Sequence, residues 1–375
     1  MKALLFTNLF PSKQAPTRGM YHVSVFGAIA RHCEVRVVAP LPWWTRAGRP
    51  FDLLSIPRET ISGIDASYPT YWSVPGRHAL HAGAMYRSLR RYLERVRREF
   101  PFDVILASWA YPDACAAARL ARDMGCPLVT NVLGSDINAL ARMPELAPAI
   151  RHALGQSHRV IAVSHALRER VLELGVAPDK VIVQHNGVDG ERFRLQDRRE
   201  ARKRLGLPED RPTILYVGNW VPEKGVDVLA RAIGRLKAAG RTDVLLALVG
   251  SGPLESTMRA IVEREGLADQ VRFCGRKSHA EVPDWMAASD LFCLPSLREG
   301  CPNVILEALS CGRPVVASRV GGVPELLNET VGAMVPAGDS DALAGALEAT
   351  LNGDWSAEAL RNSVACRSWE EVGKN

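Results

Sequence analysis

No apolar run in this sequence is long enough to cross a lipid bilayer. Among its 375 residues, the longest apolar stretches, such as residues 244–250, reach about a third of the ~20 residues that a membrane-spanning helix needs. The first eleven residues contain one lysine and a short apolar run but no small-residue cleavage pattern, so we interpret them as a β-strand rather than a signal peptide. We therefore expect a cytosolic protein.

Paired cysteines are missing as well. The eight cysteines include no Cys-x-x-Cys pair and have no histidine nearby at metal-binding spacing, and the nine histidines form no His-x-His or His-x-x-x-His pair. These absences argue against a disulfide framework and against a zinc site. Internal repeats and low-complexity tracts are also absent. We interpret the cysteines as small hydrophobic residues in the core.

Apolar residues make up 47% of the chain, a fraction too high for a disordered protein. A chain of 375 residues is also too long for one ordinary domain. Short runs rich in β-branched residues alternate with helical patterns throughout. Continuous apolar strands separated by helices are typical of an α/β fold with parallel sheets covered on both faces. The predicted strands are residues 2–7, 35–39, 104–108, 128–132, 160–164 and 181–184, then 213–217, 244–249, 271–274, 291–295, 314–317 and 333–335.

The predicted strands fall into two sets, separated by the polar and highly charged residues 186–212. We therefore predict two Rossmann-like domains, residues 1–190 and 191–355, followed by a short C-terminal return segment, residues 356–375. In doubly wound sheets, ligands bind at the carboxyl ends of the strands. If the two domains face each other, these ends line one shared cleft.

Positive charge is concentrated in the first half of the chain. Residues 1–190 contain 23 Lys and Arg against 15 Asp and Glu, whereas residues 191–375 contain 24 against 26. Residues 85–100 predict a basic amphipathic helix. Either its apolar stripe packs on the core beneath a solvated face, or the stretch from Arg87 to Arg98 contacts an anionic membrane surface or a pyrophosphate-linked acceptor. Nucleic acid is not expected, because interleaved aromatic residues and known binding modules are missing.

The segment at residues 296–327 carries the most informative pattern. A predicted buried strand is followed by a loop that ends at Glu299, then by a turn and a helix. Backbone N–H groups at a helix start bind anions, so this turn predicts a phosphate site in which the amides of Asn303 and Val304 are foremost. The residues of the predicted phosphate site are Cys301, Pro302, Asn303 and Val304.

Glu307 follows Glu299 by eight residues and falls one turn into the predicted helix. Its carboxylate can accept hydrogen bonds from two vicinal hydroxyls, such as those of a ribose. Spacing alone is also compatible with helix capping and surface charge. The whole segment, however, resembles the Glu-x7-Glu signature of the retaining glycosyltransferases of family 4, and this chain looks most similar to the teichuronic-acid and capsular polysaccharide enzymes of that family.

The resemblance implies the GT-B architecture, in which two Rossmann-like domains face each other and the C-terminal one holds the donor nucleotide. It implies that Glu299 contacts the donor sugar and that Glu307 contacts the nucleotide ribose. The donor is then a nucleoside diphosphate sugar, and no metal or other cofactor is expected. The acceptor is expected to be a saccharide or a lipid-linked saccharide, which would bring the protein to the inner face of the plasma membrane as a peripheral protein.

A second segment, residues 215–233, resembles the diphosphate-binding loop of the same family. The family pattern is Gly-Arg followed by Lys-Gly, and here Gly218, Lys224 and Gly225 match it. Asn219 occupies the position of the arginine, so one of the two usual cations is replaced. By the resemblance, Lys224 stabilises the leaving diphosphate. Taken alone, Lys224 would be better interpreted as a solvated lysine near a helix start. A neighbouring cation, Arg18, Arg276 or Arg298, is the expected substitute for the missing arginine.

Further segments match the family more weakly. Gly19 lies in a loop that is similar to the glycine-bearing loop near the donor phosphates, and the backbone around Arg276 is expected to contact the nucleotide base. Residues 185–193 resemble the element at the domain crossover. Asp136 belongs to a segment in which Leu133 replaces the usual histidine. We expect Asp136 to bind hydroxyls of the sugar or acceptor, with capping of a helix from Ile137 as the alternative.

The triplet at residues 339–341, Asp-Ser-Asp, is predicted to cap a helix rather than hold a metal, because a helical pattern follows it immediately. Together these features predict a retaining, metal-independent glycosyltransferase whose catalytic residues are Lys224, Glu299 and Asp136. Two alternatives remain. One is a nucleotide-sugar epimerase on the same fold, and the other is a catalytically degenerate subunit that binds a nucleotide sugar.

Overall fold

The computed structural model describes residues 1–46 and 55–374. The chain divides into two compact units. Unit 1 comprises Met1–Asn186 and Trp369–Asn375, and unit 2 comprises Gly187–Ser368. The division after Asn186 lies four residues before the boundary that the sequence suggested, and most of the supposed C-terminal segment belongs to unit 2. None of the helices in the described ranges is both long and apolar enough to span a bilayer.

Unit 1 contains an eight-stranded sheet with helices between its strands, and a separate two-stranded sheet formed by the third and sixth strands. Its strands in chain order are β1 (Lys2–Phe6), β2 (Glu34–Val38), β3 (Leu41–Pro42), β4 (Arg58–Ile61), β5 (Ile64–Ser67), β6 (Thr70–Tyr71), β7 (Val104–Ser108), β8 (Leu128–Val132), β9 (Arg159–Ala162) and β10 (Val181–Val183). Its helices before residue 187 are α1 (Met20–Ala30), α2 (His81–Glu99), α3 (Cys115–Met124), α4 (Ser135–Asn138), α5 (Ala147–Gln156) and α6 (His165–Glu173).

The sheet order in unit 1 is β10-β9-β8-β7-β1-β2-β5-β4, and every pairing except that of β4 with β5 is parallel. Most of these strands are buried because helices cover the sheet, which explains their continuous apolar sequences. The strand order reverses direction between β1 and β7, so the loops after these two strands diverge to opposite faces. Such a switch point leaves a crevice at the carboxyl edge of a sheet.

The sequence did not predict β4 and β5. These strands form a hairpin whose turn residues, Ser62 and Gly63, both have positive φ, as two-residue hairpin turns require. Strand β4 alternates between exposed and half-buried residues. A search for continuous apolar runs does not detect such an edge strand. The Ser-Gly turn between two isoleucines is the sequence signal that indicates the hairpin.

Helix α2 is the predicted basic amphipathic helix, and its apolar stripe packs on the core of unit 1. Met85, Leu89, Leu93 and Val96 are buried on this face. The arginines on the opposite face are largely exposed. The apolar residues of α2 therefore stabilise the fold, and its charged face is open to solvent.

Unit 2 has a six-stranded, fully parallel sheet in the order β13-β12-β11-β14-β15-β16. Its strands are β11 (Thr213–Val217), β12 (Leu245–Val249), β13 (Val271–Gly275), β14 (Leu291–Leu294), β15 (Val315–Ser318) and β16 (Gly332–Val335). Its helices are α7 (Arg198–Leu205), α8 (Val226–Ala238), α9 (Glu255–Arg264), α10 (Val282–Ala288), α11 (Asn303–Ser310), α12 (Ser340–Leu351) and α13 (Ala357–Asn362). The order places a switch point between β11 and β14.

A final short helix, α14 (Trp369–Lys374), returns to unit 1 and packs on α1. The ring of Trp369 lies edge-on to that of Tyr21, with the two centroids 5.7 Å apart. Of the predicted return segment, residues 356–375, the part from Trp369 onward belongs to unit 1. Both units have the Rossmann-like arrangement of parallel strands and covering helices, so the predicted α/β fold is confirmed.

Candidate functional site

The candidate site lies at the carboxyl edge of the unit 2 sheet, where the loops after β11 and β14 meet at the switch point. Gly225, the last residue before α8, has a φ of 58°, and a Cβ atom there would lie 2.1 Å from the carbonyl oxygen of Pro295. The backbone N–H of Leu297 donates to the carbonyl of Glu223 over 2.8 Å. The glycine therefore permits a close approach that ties the two loops together.

This approach brings Lys224 and Glu299 into contact. The Nζ atom of Lys224 lies 2.7 Å from Oε1 of Glu299, and the hydroxyl of Ser296 donates to the same oxygen over 2.6 Å. The Glu299 side chain is only 8% exposed and that of Lys224 31% exposed. A nearly buried carboxylate requires such partners, because burial of an unpaired charge is costly. The two predicted catalytic residues of unit 2 are thus an ion pair.

Glu299 leads into the predicted phosphate-binding turn, which the loop after β15 supports. The backbone N–H of Gly322 donates to the carbonyl of Gly300 over 2.8 Å, and Gly321 lies directly against the carbonyl of Glu299. Cys301 and Pro302 are buried, and α11 begins at Asn303. The N–H groups at the start of a helix point out of its end along the helix dipole, so this end of α11 has a positive potential.

Glu307 lies one turn into α11, with its side chain 16% exposed. Oε1 of Glu307 is 3.4 Å from Nε2 of His279, which follows β13. The other nitrogen of this imidazole, Nδ1, is 2.6 Å from the guanidinium of Arg192. The sequence did not single out His279 or Arg192, because neither lies near Glu307 in the chain.

Two further predicted donor-binding residues, Gly218 and Asn219, follow β11 at the same edge. Gly218 donates its N–H to the carbonyl of Val249 over 3.1 Å, which fastens the ends of β11 and β12 together. Asn219 is exposed, and its carbonyl accepts a hydrogen bond from the Tyr216 hydroxyl over 2.9 Å. Burial, with the charge of Glu299 added to it, raises the pKa of Tyr216, so this hydroxyl remains a donor.

Two of the three cations proposed to replace the missing arginine are in unit 2. Arg298 lies in the loop after β14 and pairs with Glu223 at 2.9 Å, next to the Lys224 pair. Arg276 is exposed in the loop after β13. The third, Arg18, belongs to unit 1.

Asp339 caps α12, as predicted. Its Oδ1 atom accepts from the backbone N–H groups of Asp341 and Ala342, at 3.1 and 2.9 Å. Asp341 in turn pairs with Arg235 at 2.9 Å. The Asp-Ser-Asp triplet is therefore a helix start.

Gly19 has the special backbone geometry that its loop requires. Its φ is 62°, it precedes α1, and a Cβ atom there would lie 1.8 Å from the carbonyl oxygen of Leu9. Only glycine fits this contact. Gly19 is thus fixed against the start of the loop that follows β1.

The structure corrects the interpretation of Asp136. Its side chain is fully buried, and its carboxylate accepts from the backbone N–H groups of Ala110 (3.0 Å), Leu133 (3.1 Å) and Gly134 (2.8 Å). These bonds fasten the loops after β7 and β8 together, so the carboxylate holds backbone rather than a sugar hydroxyl. It does not cap a helix from Ile137 either, because its donors precede it in the chain.

Around the switch point of unit 1 lies a buried polar cluster that the sequence analysis missed. Nε2 of His22 is 2.8 Å from the Ser108 hydroxyl, and the Asn131 amide donates to the same hydroxyl over 3.4 Å. Asp113 accepts from the backbone N–H of Asn8 over 3.0 Å. Ser108 and Asn131 stand at the carboxyl ends of apolar strands, which is the signal that could have identified them.

Burial shifts the pKa values of the two titratable groups of this cluster so that the neutral forms are favoured. Desolvation lowers the pKa of His22 to about 4 and raises that of Asp113 to about 8, although hydrogen bonds from Asn8 and Thr7 oppose the second shift. Asp113 therefore weakens folding progressively as the pH rises from 3.8 to about 8, whereas His22 weakens it as the pH falls from 6.5 to about 4.

Each half of the chain matches a protein-family model of glycosyltransferases. Glycosyltransferase Family 4 matches residues 26–192, and Glycosyl transferases group 1 matches residues 197–365. TuaC of Bacillus subtilis (strain 168), which is named for teichuronic acid biosynthesis, is 30% identical over 92% of this chain and 88% of its own length. The N-acetyl-alpha-D-glucosaminyl L-malate synthase of Bacillus anthracis is 31% identical over 68% of this chain and 67% of its own.

A solved structure shows the same fold. HepE of Anabaena, crystallised in complex with UDP, superposes with a TM-score of 0.77 at 20% identity, and the match covers 100% of this chain and 98% of HepE. The fold is thus that of the GT-B glycosyltransferases. The chain belongs to glycosyltransferase family 4 and is a glycosyltransferase, as the resemblance implied.

The first testable prediction concerns the Lys224–Glu299 pair. Lys224→Met removes the cation that pairs with the nearly buried Glu299 carboxylate, so we expect a loss of about 1 to 3 kcal/mol in the free energy of unfolding. Adding Glu299→Gln should recover most of this loss. Denaturant unfolding of the four proteins of the double-mutant cycle measures the coupling.

The matched control for this cycle is the neighbouring Arg298–Glu223 pair, whose side chains are 50% and 47% exposed. Arg298→Met should cost less than about 1 kcal/mol, since exposed pairs contribute little. Equal losses at Lys224 and Arg298 would contradict a special role for burial at Glu299.

The second prediction concerns His22. Because its pKa falls from 6.5 to about 4 on folding, wild-type stability should decline between these pH values by about 3 kcal/mol more than that of His22→Gln. Denaturant unfolding at several pH values measures the two slopes. His152→Gln, at an exposed histidine, is the control and should keep the wild-type slope. Identical slopes for wild type and His22→Gln would exclude a neutral buried imidazole.

Proposed function

We propose that this glycosyltransferase moves a sugar, with retention of its anomeric configuration, from a nucleoside diphosphate sugar to a hydroxyl of a lipid-linked bacterial surface polysaccharide. The observation that carries the proposal is the Lys224–Glu299 pair at the switch point of the unit 2 sheet, next to the start of α11. The UDP bound by HepE supports the class of donor. The biosynthetic role in the name of TuaC supports the class of acceptor.

Lys224 is suited to meet the diphosphate without leaving Glu299. An ammonium group has three N–H donors, and Glu299 uses one of them. The remaining donors can bind phosphate oxygens, while Glu299 keeps the flexible side chain aligned. The N-terminal amides of α11 add positive potential from a second direction. Because these groups supply the charge that the leaving diphosphate needs, the proposed mechanism uses no metal.

Glu299 and Glu307 divide the recognition of the donor. Glu299 lies in the loop after β14, where it can reach hydroxyls of the sugar, and Glu307 lies one turn into α11, where it can accept from the ribose. Both carboxylates are largely buried. Hydrogen bonds to charged groups are worth about 1.5 to 3 kcal/mol each in such surroundings.

The chemical step breaks the bond between the anomeric carbon and the phosphate oxygen and forms a bond from that carbon to the acceptor oxygen. The acceptor proton passes to the departing phosphate oxygen on the same face of the sugar, which accounts for retention without a protein nucleophile. Lys224 stabilises the negative charge as it develops. A preorganised donor of this kind lowers the activation barrier by about 3 kcal/mol.

The exposed face of α2 provides the proposed contact with the membrane that carries the acceptor, at its cytoplasmic side. Its arginines from Arg87 to Arg98 are mostly solvated, and Arg90 is shared between Glu94 and Asp123 at 3.5 and 3.6 Å. Since the apolar stripe packs on the core, this contact is electrostatic. It depends on anionic lipid and weakens with salt.

The third prediction tests the activity itself. The purified protein is incubated with UDP-, GDP- and ADP-sugars, and release of the nucleotide is followed with and without a lipid-linked saccharide. We expect slow release from one donor that accelerates with acceptor. A changed sugar on an intact nucleotide would instead indicate an epimerase, and binding without turnover would indicate a non-catalytic subunit. Either result would overturn the proposal.

The fourth prediction concerns Glu307. Glu307→Ala removes the proposed ribose acceptor, so nucleotide affinity should fall about 10- to 100-fold, the equivalent of a charged hydrogen bond. Isothermal titration calorimetry with UDP, GDP and ADP measures this loss. Glu263→Ala, at an exposed glutamate on α9, is the matched control and should bind as the wild type does. Unchanged binding by Glu307→Ala would refute the ribose role.

A further inference from the structure

Four polar groups of unit 2 form a chain that ends at Glu307. Asp189 accepts from the backbone N–H of Arg192 over 3.1 Å, and the Nη1 atom of Arg192 lies 2.6 Å from Nδ1 of His279. Nε2 of His279 then lies 3.4 Å from Oε1 of Glu307. The Phe193 ring packs edge-on against the imidazole, with the two centroids 5.4 Å apart. Asp189, Arg192 and Phe193 all come from the crossover segment, 86 to 90 residues before His279.

The contact with Arg192 determines which nitrogen of His279 carries the hydrogen. A guanidinium group has only N–H donors, so Nδ1 must offer its lone pair as the acceptor. The hydrogen of the neutral ring is then on Nε2, which faces Glu307. His279 therefore presents an N–H donor to one oxygen of the carboxylate.

We propose that His279, oriented by Arg192, is a positioning residue that makes Glu307 selective for the ribose hydroxyls of the donor. His279 engages Oε1 of Glu307, whereas Oε2 has no hydrogen-bond partner among the described residues and is available to accept from a ribose hydroxyl. A carboxylate whose first oxygen is already held loses little rotamer freedom when its second oxygen accepts a hydrogen bond from a hydroxyl. This inference rests on the proposed ribose role of Glu307, and it adds the source of its orientation.

The experiment compares nucleotides with and without the ribose hydroxyls. Dissociation constants of UDP, 2′-deoxy-UDP and 3′-deoxy-UDP are measured by titration calorimetry, or those of the GDP or ADP series if UDP does not bind. For the wild type we expect the ribonucleotide to bind about 10- to 100-fold more tightly than at least one deoxy form. The ratio of these constants is the readout, because a general loss of folding changes all three together.

Two variants separate the hydrogen bond from the packing. His279→Phe keeps a ring against Phe193 but has no donor. We expect UDP to bind more weakly and the deoxy forms to bind as before, so that their dissociation constants differ by no more than about threefold. His279→Gln places an amide N–H near the position of Nε2, so it should keep the preference within about threefold of the wild type. His152→Gln, at an exposed histidine of unit 1, is the control and should change nothing.

The outcomes distinguish this inference from the proposed function. If Glu307→Ala loses the preference and His279→Phe keeps it, Glu307 binds ribose without help from His279, and only the positioning role is overturned. If His279→Phe weakens all three nucleotides equally, His279 supports the fold alone, and the inference also fails. If Glu307→Ala keeps the full preference, the proposed ribose role itself fails.

Discussion

The close approach of the loops after β11 and β14 is the constraint on which the site of unit 2 depends. Gly225 lies against the carbonyl of Pro295, where a side chain of any size would push the loops apart. This contact places the Lys224 ammonium on the nearly buried Glu299 carboxylate. The ion pair then sits beside the start of α11, whose amides face the same edge of the sheet. A backbone contact thus creates the electrostatic character of the site.

Buried carboxylates have different tasks in the two units. In unit 1, Asp136 and Asp113 accept from backbone N–H groups and hold the loops after β1, β7 and β8 in place. In unit 2, Glu299 and Glu307 are held by side chains, namely those of Lys224, Ser296 and His279. A carboxylate held by several backbone donors, such as that of Asp136, supports loops, whereas the proposed ligand role of Glu307 depends on the oxygen that His279 leaves unused.

Much of the fold could be predicted because its cause is local. A buried parallel strand needs an apolar run, and the twelve predicted runs correspond to strands of the two large sheets. The β4–β5 hairpin was missed because an edge strand with one solvated face does not need such a run. Motif spacing also singled out Lys224, Glu299 and Glu307, of which the structure brings the first two into contact. It failed for Asp136, since spacing does not reveal whether a carboxylate faces a ligand or neighbouring amides.

The sequence by itself determined the residue types at the strand ends, the glycines that permit close backbone contacts and the position of Glu307 one turn into a helix. The tertiary structure alone decided that Lys224 reaches Glu299 across 75 residues and that Arg192 reaches His279 across 87. The reason is physical. A strand or helix depends on neighbours a few residues away, whereas these contacts depend on which strands lie side by side, and sheet order is set by the packing of the whole unit.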